Sequence, residues 1–257
     1  MSNAVRNPRH VLITGASSGI GAALAEAYAQ PGVRVTLGGR NRERLDGVAE
    51  RCRERGAEVE TGVIDVDARE AMQAWVEAAD RARPLDLVIA NAGISAGTGA
   101  GMESDAQARD IFATNLAGVL NTLQPTMPAM QARGRGQLAV VASLAAFRGF
   151  PGAPAYCGSK AAVRVWAEAM RPHLAAQGVG ISVVCPGFVR SRMTAVNTFP
   201  MPFLMDADTA ARIITKGLAR DRGRIAFPWP LAAAVWLLAA LPPAWTDWAM
   251  AKLPAKT

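Results

Sequence analysis

The sequence is poor in several residue types, and each shortage excludes a class of protein. Its three cysteines, Cys52, Cys157 and Cys185, are an odd number and widely spaced, which argues against a disulfide framework and predicts a reducing, cytoplasmic location. Its two histidines, His10 and His173, lie far apart, and no cysteine pair has metal-ligand spacing, so no metal site is expected. The N-terminal segment has no apolar core, so we expect no signal peptide.

Acidic residues are fewer than basic ones. The chain has 28 lysines and arginines against 21 aspartates and glutamates, a net charge of +7. Such an excess suits nucleic acid, an anionic membrane surface, or an arginine-rich solvated surface. Residues 40–56 mix glutamates among their arginines, as an exposed helix face does. No nucleic-acid motif is present, so we favour the solvated surface and expect no nucleic-acid partner.

Tyrosine and lysine are also scarce. The chain has two tyrosines, and among its 28 basic residues the lysines are only Lys160, Lys216, Lys252 and Lys256. One of them nevertheless follows Tyr156 by four residues, in a segment otherwise made of small residues. Residues four apart share a helix face. A nearby ammonium favours the phenolate and lowers the pKa of a tyrosine from its usual value of about 10.

Apolar runs of strand length alternate with longer helical patterns. Runs that are apolar along their whole length are typical of strands buried on both faces of a parallel sheet. The alternation predicts an α/β fold: one Rossmann-like, doubly wound parallel sheet of about seven strands with helices on both faces, spanning residues 1–226. The predicted strands are 10–14, 33–38, 57–65, 85–91, 136–143, 179–187 and 223–227, and one long helix is expected over 105–131.

A glycine-rich turn, TGASSGIG, follows the first predicted strand. Gly15, Gly19 and Gly21 allow a tight turn and a close approach of the backbone to a pyrophosphate. The helix that begins there directs free N–H groups and its positive dipole end at that anion. A tight turn without a ligand is the alternative reading.

Several motifs now combine into a family pattern. The turn at 14–21, Asn-Ala-Gly at 91–93, Pro-Gly at 186–187 and the set of Ser143, Tyr156 and Lys160 resemble the short-chain dehydrogenase/reductase family over about residues 9–226. The resemblance implies an NAD(P)-dependent oxidoreductase with a small-molecule substrate. Members of this family often form dimers or tetramers, so we expect a homo-oligomer.

The end of the second strand indicates which cofactor is used. Sites for NAD usually carry an acid there for the ribose 2′-hydroxyl, whereas NADP sites carry a cation. This chain has Gly39 at that place and Arg40 next to it, so we predict NADP(H), with Arg42 as a possible helper or an ordinary surface residue. The resemblance implies that the other cofactor contacts are Gly15, Ser17, Ser18, Gly19, Ile20, Gly21, Asp65, Val66, Asn91, Ala92, Gly93, Tyr156, Lys160, Pro186, Gly187, Val189 and Ser191.

The resemblance also implies the catalytic roles. Tyr156 acts as general acid/base, and Lys160 lowers the pKa of Tyr156 and binds the nicotinamide ribose. Ser143 orients the substrate carbonyl, and Asn115 holds a water connected to Lys160. Cys157 is expected to pack rather than react. Ser191 stands where the family often has threonine, and it keeps the hydroxyl.

Two segments differ from an ordinary family member. Residues 196–206, at the place of the mobile substrate lid, are rich in Phe, Met and Pro, which favours a lipophilic substrate, or only a lid packed on the body. Residues 227–257 form an apolar extension rich in Trp and Pro. Its longest apolar run would reach about 16 Å as a helix, whereas the bilayer core is about 30 Å thick.

Two short helices around Pro242-Pro243 are therefore predicted for this extension. Its tryptophans and the trailing Lys252 and Lys256 suit peripheral attachment to the cytoplasmic face of a membrane. A subunit contact or a cover over the substrate pocket are the alternatives.

The sequence as a whole predicts NADPH-dependent reduction of a lipophilic ketone, such as a 3-oxo lipid or a steroid-like compound. The reverse oxidation by an alcohol dehydrogenase, and a catalytically silent dinucleotide-binding sensor, are the alternatives.

Overall fold

The structure is a computed structural model that describes residues 5–95 and 103–251. Residues 96–102, in the predicted glycine-rich loop after the fourth strand, lie outside the described residues, as do Lys252 and Lys256.

Seven parallel strands form one sheet. Its order is β3-β2-β1-β4-β5-β6-β7, which confirms the predicted doubly wound fold. The strand order reverses between β1 and β4, and open sheets bind their ligands beyond the carboxyl ends of the strands at such a point. The strands are β1 His10–Thr14, β2 Arg34–Gly39, β3 Glu58–Val63, β4 Leu87–Ala90, β5 Gly136–Val141, β6 Val179–Pro186 and β7 Arg224–Phe227.

Helices cover both faces of the sheet and divide the core into two halves. One half packs under α1, α2 and α9, and the other under α3, α5 and α7. The helices are α1 Gly19–Tyr28, α2 Arg42–Glu54, α3 Arg69–Ala82, α4 Asp105–Phe112, α5 Gly118–Leu123, α6 Met127–Arg133, α7 Pro154–Ala175, α8 Arg192–Ala195, α9 Ala207–Leu218, α10 Trp229–Ala240 and α11 Pro243–Met250.

The single helix expected over 105–131 is instead a chain of segments. It begins at a capping box formed by Ser104 and Gln107. A π-helical turn, Ala113–Ala117, separates α4 from α5, and a 3-10 turn, Gln124–Thr126, separates α5 from α6. Proline cannot donate the intrahelical hydrogen bond. Pro125 therefore accounts for the second interruption, which periodicity alone does not indicate.

The C-terminal extension contains the two predicted short helices. Pro228 precedes α10, and the helix ends before Pro242-Pro243. It packs against β7 and the 3-10 turn Leu144–Ala146. A Cβ atom on Gly187 would come within 3.1 Å of Leu231 Cδ2, so this part of α10 lies directly on the Pro-Gly segment after β6. Within residues 5–95 and 103–251, no helix is long and apolar enough to cross a membrane.

Candidate active site

A cavity of about 790 Å³ runs along the carboxyl ends of the strands at the point where their order reverses. Its volume is in the range of small-molecule and cofactor sites, about 300–1,000 Å³. The sequence-predicted residues that line it are Gly15, Ser17, Ser18, Gly19, Ile20, Arg40, Asp65, Val66, Asn91, Ala92, Gly93, Ser143, Tyr156, Lys160, Pro186, Gly187, Val189 and Ser191. Gly21 and Asn115 are not in its lining; they support residues that are.

The glycine turn brings backbone rather than side chains to one end of the cavity. Gly15 and Gly19 have φ angles of 65° and 56°, in the left-handed region that favours glycine. A Cβ on Gly15 would lie 2.7 Å from Ala92 Cα, and one on Gly21 would collide with the carbonyl oxygen of Gly15. Asn91 Nδ2 donates to the carbonyl oxygens of Thr14 and Gly15, at 3.1 Å each, and fixes the turn against β4.

The N-terminus of α1 is open to a ligand. Its N-cap residue, Ser18, makes no capping hydrogen bond with its side chain. The first N–H groups of a helix have no partner within the helix, so they attract an anion together with the dipole. The turn and this helix end therefore fit a dinucleotide pyrophosphate.

Two arginines stand at the end of β2, and the sequence predicts a cofactor contact for only one of them, Arg40. Arg40 is exposed, with Nη1 3.8 Å from Asp65 Oδ2. Arg44, in the first turn of α2, also lines the cavity, and its buried Nε has no hydrogen-bond partner among the described residues. Arg42 is exposed and does not line the cavity. The N-cap Asn41, which accepts from Arg44 N at 2.9 Å, could have indicated that Arg44 turns toward the strand end.

Ser143 and Tyr156 meet at the opposite end of the cavity. Ser143 follows β5, and its Oγ accepts from Ala145 N at 3.1 Å, which caps the 3-10 turn there. Tyr156 lies in the first turn of α7, near Ser143. Burial raises the pKa of the Tyr156 hydroxyl, and the nearby Ser143 side chain opposes that rise by favouring the phenolate.

Lys160 lies one helical turn after Tyr156 and is only 4% exposed. Its Nζ donates to the carbonyl oxygen of Val141 at 2.9 Å and lies 5.9 Å from the centroid of the Tyr156 ring. Burial lowers the pKa of Lys160 from 10.5 to about 8. The ammonium is therefore easily discharged, and it lies beside the tyrosine.

Asn115 occupies the π-helical turn and is fully buried. Its amide bonds the backbone of Ile94 and also donates to Ser159 Oγ at 3.1 Å. A Cβ on Gly93 would lie 3.1 Å from both Asn115 Oδ1 and Lys160 Nζ. Asn115 thus stands behind the cavity wall, close to Lys160.

The segment after β6 supplies the next part of the wall. Ser191 caps the short helix α8 in a reciprocal pair with Thr194. A parallel bridge between Val189 and Met205 ties the segment that precedes the predicted lid to the end of the lid. Lid residues that line the cavity are Asn197, Phe199, Pro200 and Pro202.

The C-terminal helices close the same cavity. Leu231, Ala234, Val235 and Leu238 of α10, with Met250 of α11, line it. Cys157 lines it too, and its Sγ accepts from Phe150 N at 3.4 Å. Burial raises the pKa of the Cys157 thiol, which keeps it in the unreactive protonated form. No group of three or more potential metal ligands occurs in the part of the chain that the structure describes.

Comparison with known proteins agrees with this geometry. The family described as short chain dehydrogenase matches residues 9–199. An "Uncharacterized oxidoreductase" of Myxococcus xanthus is 40% identical over 235 residues, 91% of this chain and 93% of that protein. "Ketoacyl reductase HetN" of a Nostoc species is 35% identical over 189 residues, 73% of this chain and 66% of that protein.

Solved structures share the fold. A short-chain dehydrogenase from Sphingobium yanoikuyae in complex with NADPH has a TM-score of 0.79 at 24% identity, covering 95% of this chain and 96% of that one. A short-chain dehydrogenase from Mycobacterium paratuberculosis bound to NAD has a TM-score of 0.76 at 21% identity, covering 88% and 98%. The sheet order, the glycine turn, the Ser143–Tyr156–Lys160 group and the match over residues 9–199 together show that the chain belongs to the short-chain dehydrogenase/reductase family of oxidoreductases.

Proposed function

We propose that the protein reduces a lipophilic ketone to a secondary alcohol with NADPH. The observation that carries this proposal is the meeting of Ser143, Tyr156 and Lys160 at one end of a cavity whose other end is the glycine turn and a pair of arginines. When bound, the nicotinamide cofactor supplies the hydride. The same groups serve the reverse oxidation, so the direction in the cell follows the supply of cofactor and substrate.

The chain's own residues divide the remaining work. The turn at Gly15–Gly21 and the open end of α1 hold the pyrophosphate, and Asp65 and Val66 face the adenosine. Arg40 and Arg44 hold the ribose 2′-phosphate. The buried Nε of Arg44, which has no partner among the described residues, supports this role, because a buried guanidinium nitrogen without a partner is costly.

Proton transfer falls to Tyr156. Ser143 lies near it and would bond the substrate oxygen, which would bring that oxygen beside the tyrosine hydroxyl. Tyr156 donates its proton to the oxygen as the alcohol forms. Lys160 holds the ribose and stabilises the phenolate that remains. Asn115, behind Lys160, supports the water path that returns the proton.

The cavity wall supports an apolar substrate. It is built in part by Phe199 and Pro202 of the lid and by aliphatic side chains of α10. None of the side chains of α10 that line the cavity carries a polar group. A lipid-like chain would remove the apolar surface of this wall from water, whereas a small polar carbonyl compound would leave that surface exposed to water.

The reaction is tested by following NADPH oxidation with a panel of ketones that includes 3-oxo lipids. Tyr156→Phe should lower kcat by about 10²- to 10⁴-fold, the usual contribution of a general acid, with NADPH affinity nearly unchanged. Retained turnover in Tyr156→Phe would remove the assignment. Activity on small polar carbonyls alone would remove the lipophilic substrate.

Arg42, which lies in the same helix as Arg44, provides a matched control for the cofactor assignment. Arg40→Ala and Arg44→Ala should each weaken NADPH binding about 10- to 100-fold, the value of one charge-assisted contact, and leave NADH binding unchanged. Arg42→Ala, which alters an exposed side chain outside the cavity, should bind NADPH like the wild type. Equal affinity of the wild type for NADH and NADPH would contradict the assignment.

A further inference from the structure

The helix α10 is apolar all round, yet the protein covers only one side of it. Its sequence, WPLAAAVWLLAA, contains no charged residue. Leu231, Ala234, Val235 and Leu238 face the cavity, at the spacing i, i+3, i+4, i+7 of one helix face. Most of the exposed residues lie on the opposite side: Trp229, Ala233, Trp236, Leu237 and Ala240. We call this second set the outer face. Ala239 is also exposed, as is Ala234 at the edge of the cavity face.

The outer face is unusual within this chain. Trp229, Trp236 and Leu237 are 78%, 61% and 59% exposed, and Trp245 and Trp248 of α11 are 69% and 66% exposed. The two remaining tryptophans, Trp75 and Trp166, pack partly buried against the core. Exposed large apolar side chains on one surface mark an interaction site, and the five exposed ones belong to two consecutive short helices. All four tryptophans of the extension are on the surface.

We infer that the outer face of α10, with Trp245 and Trp248, docks onto an anionic lipid bilayer. Tryptophan is the side chain that concentrates at the membrane–water interface. Within the described residues no helix can cross a bilayer, so the contact is with one leaflet. This inference deepens the proposed function and rests on it only for the identity of the substrate.

Charge favours lipid over a second copy of the chain. The one acidic residue of the extension, Asp247, is paired with Arg148 at 3.0 Å. The residues that directly follow α11 include Lys252 and Lys256 and no acid. Apart from Asp247, every charged side chain in the sequence of the extension is therefore basic. That suits anionic headgroups, whereas two copies facing each other would bring like charges together.

Because α10 lines the cavity with one face and would contact the bilayer with the other, docking would bring the lipid close to the substrate space. A helix with its side chains is about 10–12 Å across, so a bilayer on the outer face lies one helix away from the substrate space. A lipophilic ketone could then pass from the leaflet into the cavity beside α10 without crossing water. Moving each methylene of the substrate through water is unfavourable, which makes direct entry faster for long chains.

The test uses the full chain and vesicles of phosphatidylcholine, with and without phosphatidylserine. The wild type should float with the vesicles, more strongly when phosphatidylserine is present, and its tryptophan fluorescence should be quenched by lipids brominated in the acyl chains. The double variant Trp236→Ser/Leu237→Ser should bind vesicles at least about tenfold more weakly, since two apolar side chains leave the lipid. The double variant Val63→Ser/Val165→Ser, which alters exposed apolar residues elsewhere, should bind like the wild type.

Activity separates docking from folding and from catalysis. The outer-face variant should reduce a water-soluble ketone at the wild-type rate and a vesicle-dissolved ketone at least about tenfold more slowly. A wild type that never floats, or an outer-face variant that floats equally well, overturns the inference. So does a wild-type dimer that the outer-face variant converts to monomers while neither form binds vesicles. If no ketone at all is reduced, the proposed function fails, and flotation still decides the docking.

Discussion

Asn115 and Ile94 exchange two hydrogen bonds across the end of β4: Asn115 Oδ1 accepts from Ile94 N at 2.8 Å, and Asn115 Nδ2 donates to Ile94 O at 2.9 Å. The π-helical turn places the amide opposite the strand extension, so that one side chain satisfies both backbone groups. Gly93 is thereby held against Lys160.

This exchange predicts a large effect of removing the amide. Asn115→Ala leaves the N–H and C=O of Ile94 without partners, and we expect a loss of about 2–4 kcal/mol in the free energy of unfolding. Asn121→Ala removes one hydrogen bond, to Val66 O, and should cost about 1 kcal/mol. Denaturant unfolding of the two variants compares them directly. Equal losses in the free energy of unfolding would show that the hydrogen bonds of Asn115 do not specially stabilise the contact between the end of β4 and the π-helical turn.

Lys160 predicts a pH-dependent stability. Its folded pKa of about 8 lies below 10.5, so the folded state holds fewer protons than the unfolded state between these values. The stability of the wild type relative to Lys160→Met should therefore be lowest below pH 8 and rise by about 3 kcal/mol as the pH increases to 10.5. Unfolding measured for both proteins at pH 7 and pH 10 isolates this residue. A constant difference would mean that the buried amine is not discharged.

Gly39 predicts a change of cofactor. A Cβ there would lie 3.4 Å from Ser17 Cβ, an ordinary contact, so a side chain fits. Gly39→Asp places a carboxylate beside Arg40, where it can accept from a ribose hydroxyl and repels a phosphate. We expect NADPH affinity to fall at least about tenfold and NADH affinity to rise. Gly39→Ala, without the charge, should keep the preference for NADPH; loss of that preference in the alanine variant would indicate a steric cause.

Alanine substitutions at Gly21 and Gly47 should change the stability in opposite directions. A Cβ on Gly21 would meet the carbonyl oxygen of Gly15, so Gly21→Ala should lower stability and displace the turn that we propose holds the pyrophosphate. Gly47 lies within α2, and its Cβ would meet only Arg51 Nη1 at 3.9 Å. Gly47→Ala should raise the free energy of unfolding by about 0.5–1 kcal/mol. Thermal unfolding with and without NADPH reports both effects, and an unaffected NADPH shift in Gly21→Ala would contradict the role of the turn.

The fold was predictable from the sequence because most of its strands are recognisable as short apolar runs. β1 and β6 are apolar along their length, and a glycine turn follows β1, so sequence patterns are sufficient for the alternation and the sheet. The residues Ser143, Tyr156 and Lys160 were also identifiable, because a motif fixes them by short spacing. Their roles stay predictions until the variants are measured.

The residues of the cavity wall were harder to predict from the sequence than the fold. Arg44 was missed because its position depends on where α2 begins, and Asn41 sets that start. The sequence left three uses open for the C-terminal extension, and only tertiary packing shows that Leu231 and Leu238 line the cavity. Contacts between segments that are far apart in the chain leave no local pattern to read.

The placement of α10 has a consequence for how this enzyme can diverge. Ser143 follows β5, and Tyr156 and Lys160 belong to α7, whereas part of the apolar wall belongs to a helix that follows the last strand. Substitutions in α10 can therefore reshape the substrate space while the hydrogen bonds of Ser143, Lys160 and Asn115 stay intact. Substitutions among the twelve residues of α10 can therefore change which substrate fits, while Ser143, Tyr156 and Lys160 keep their positions.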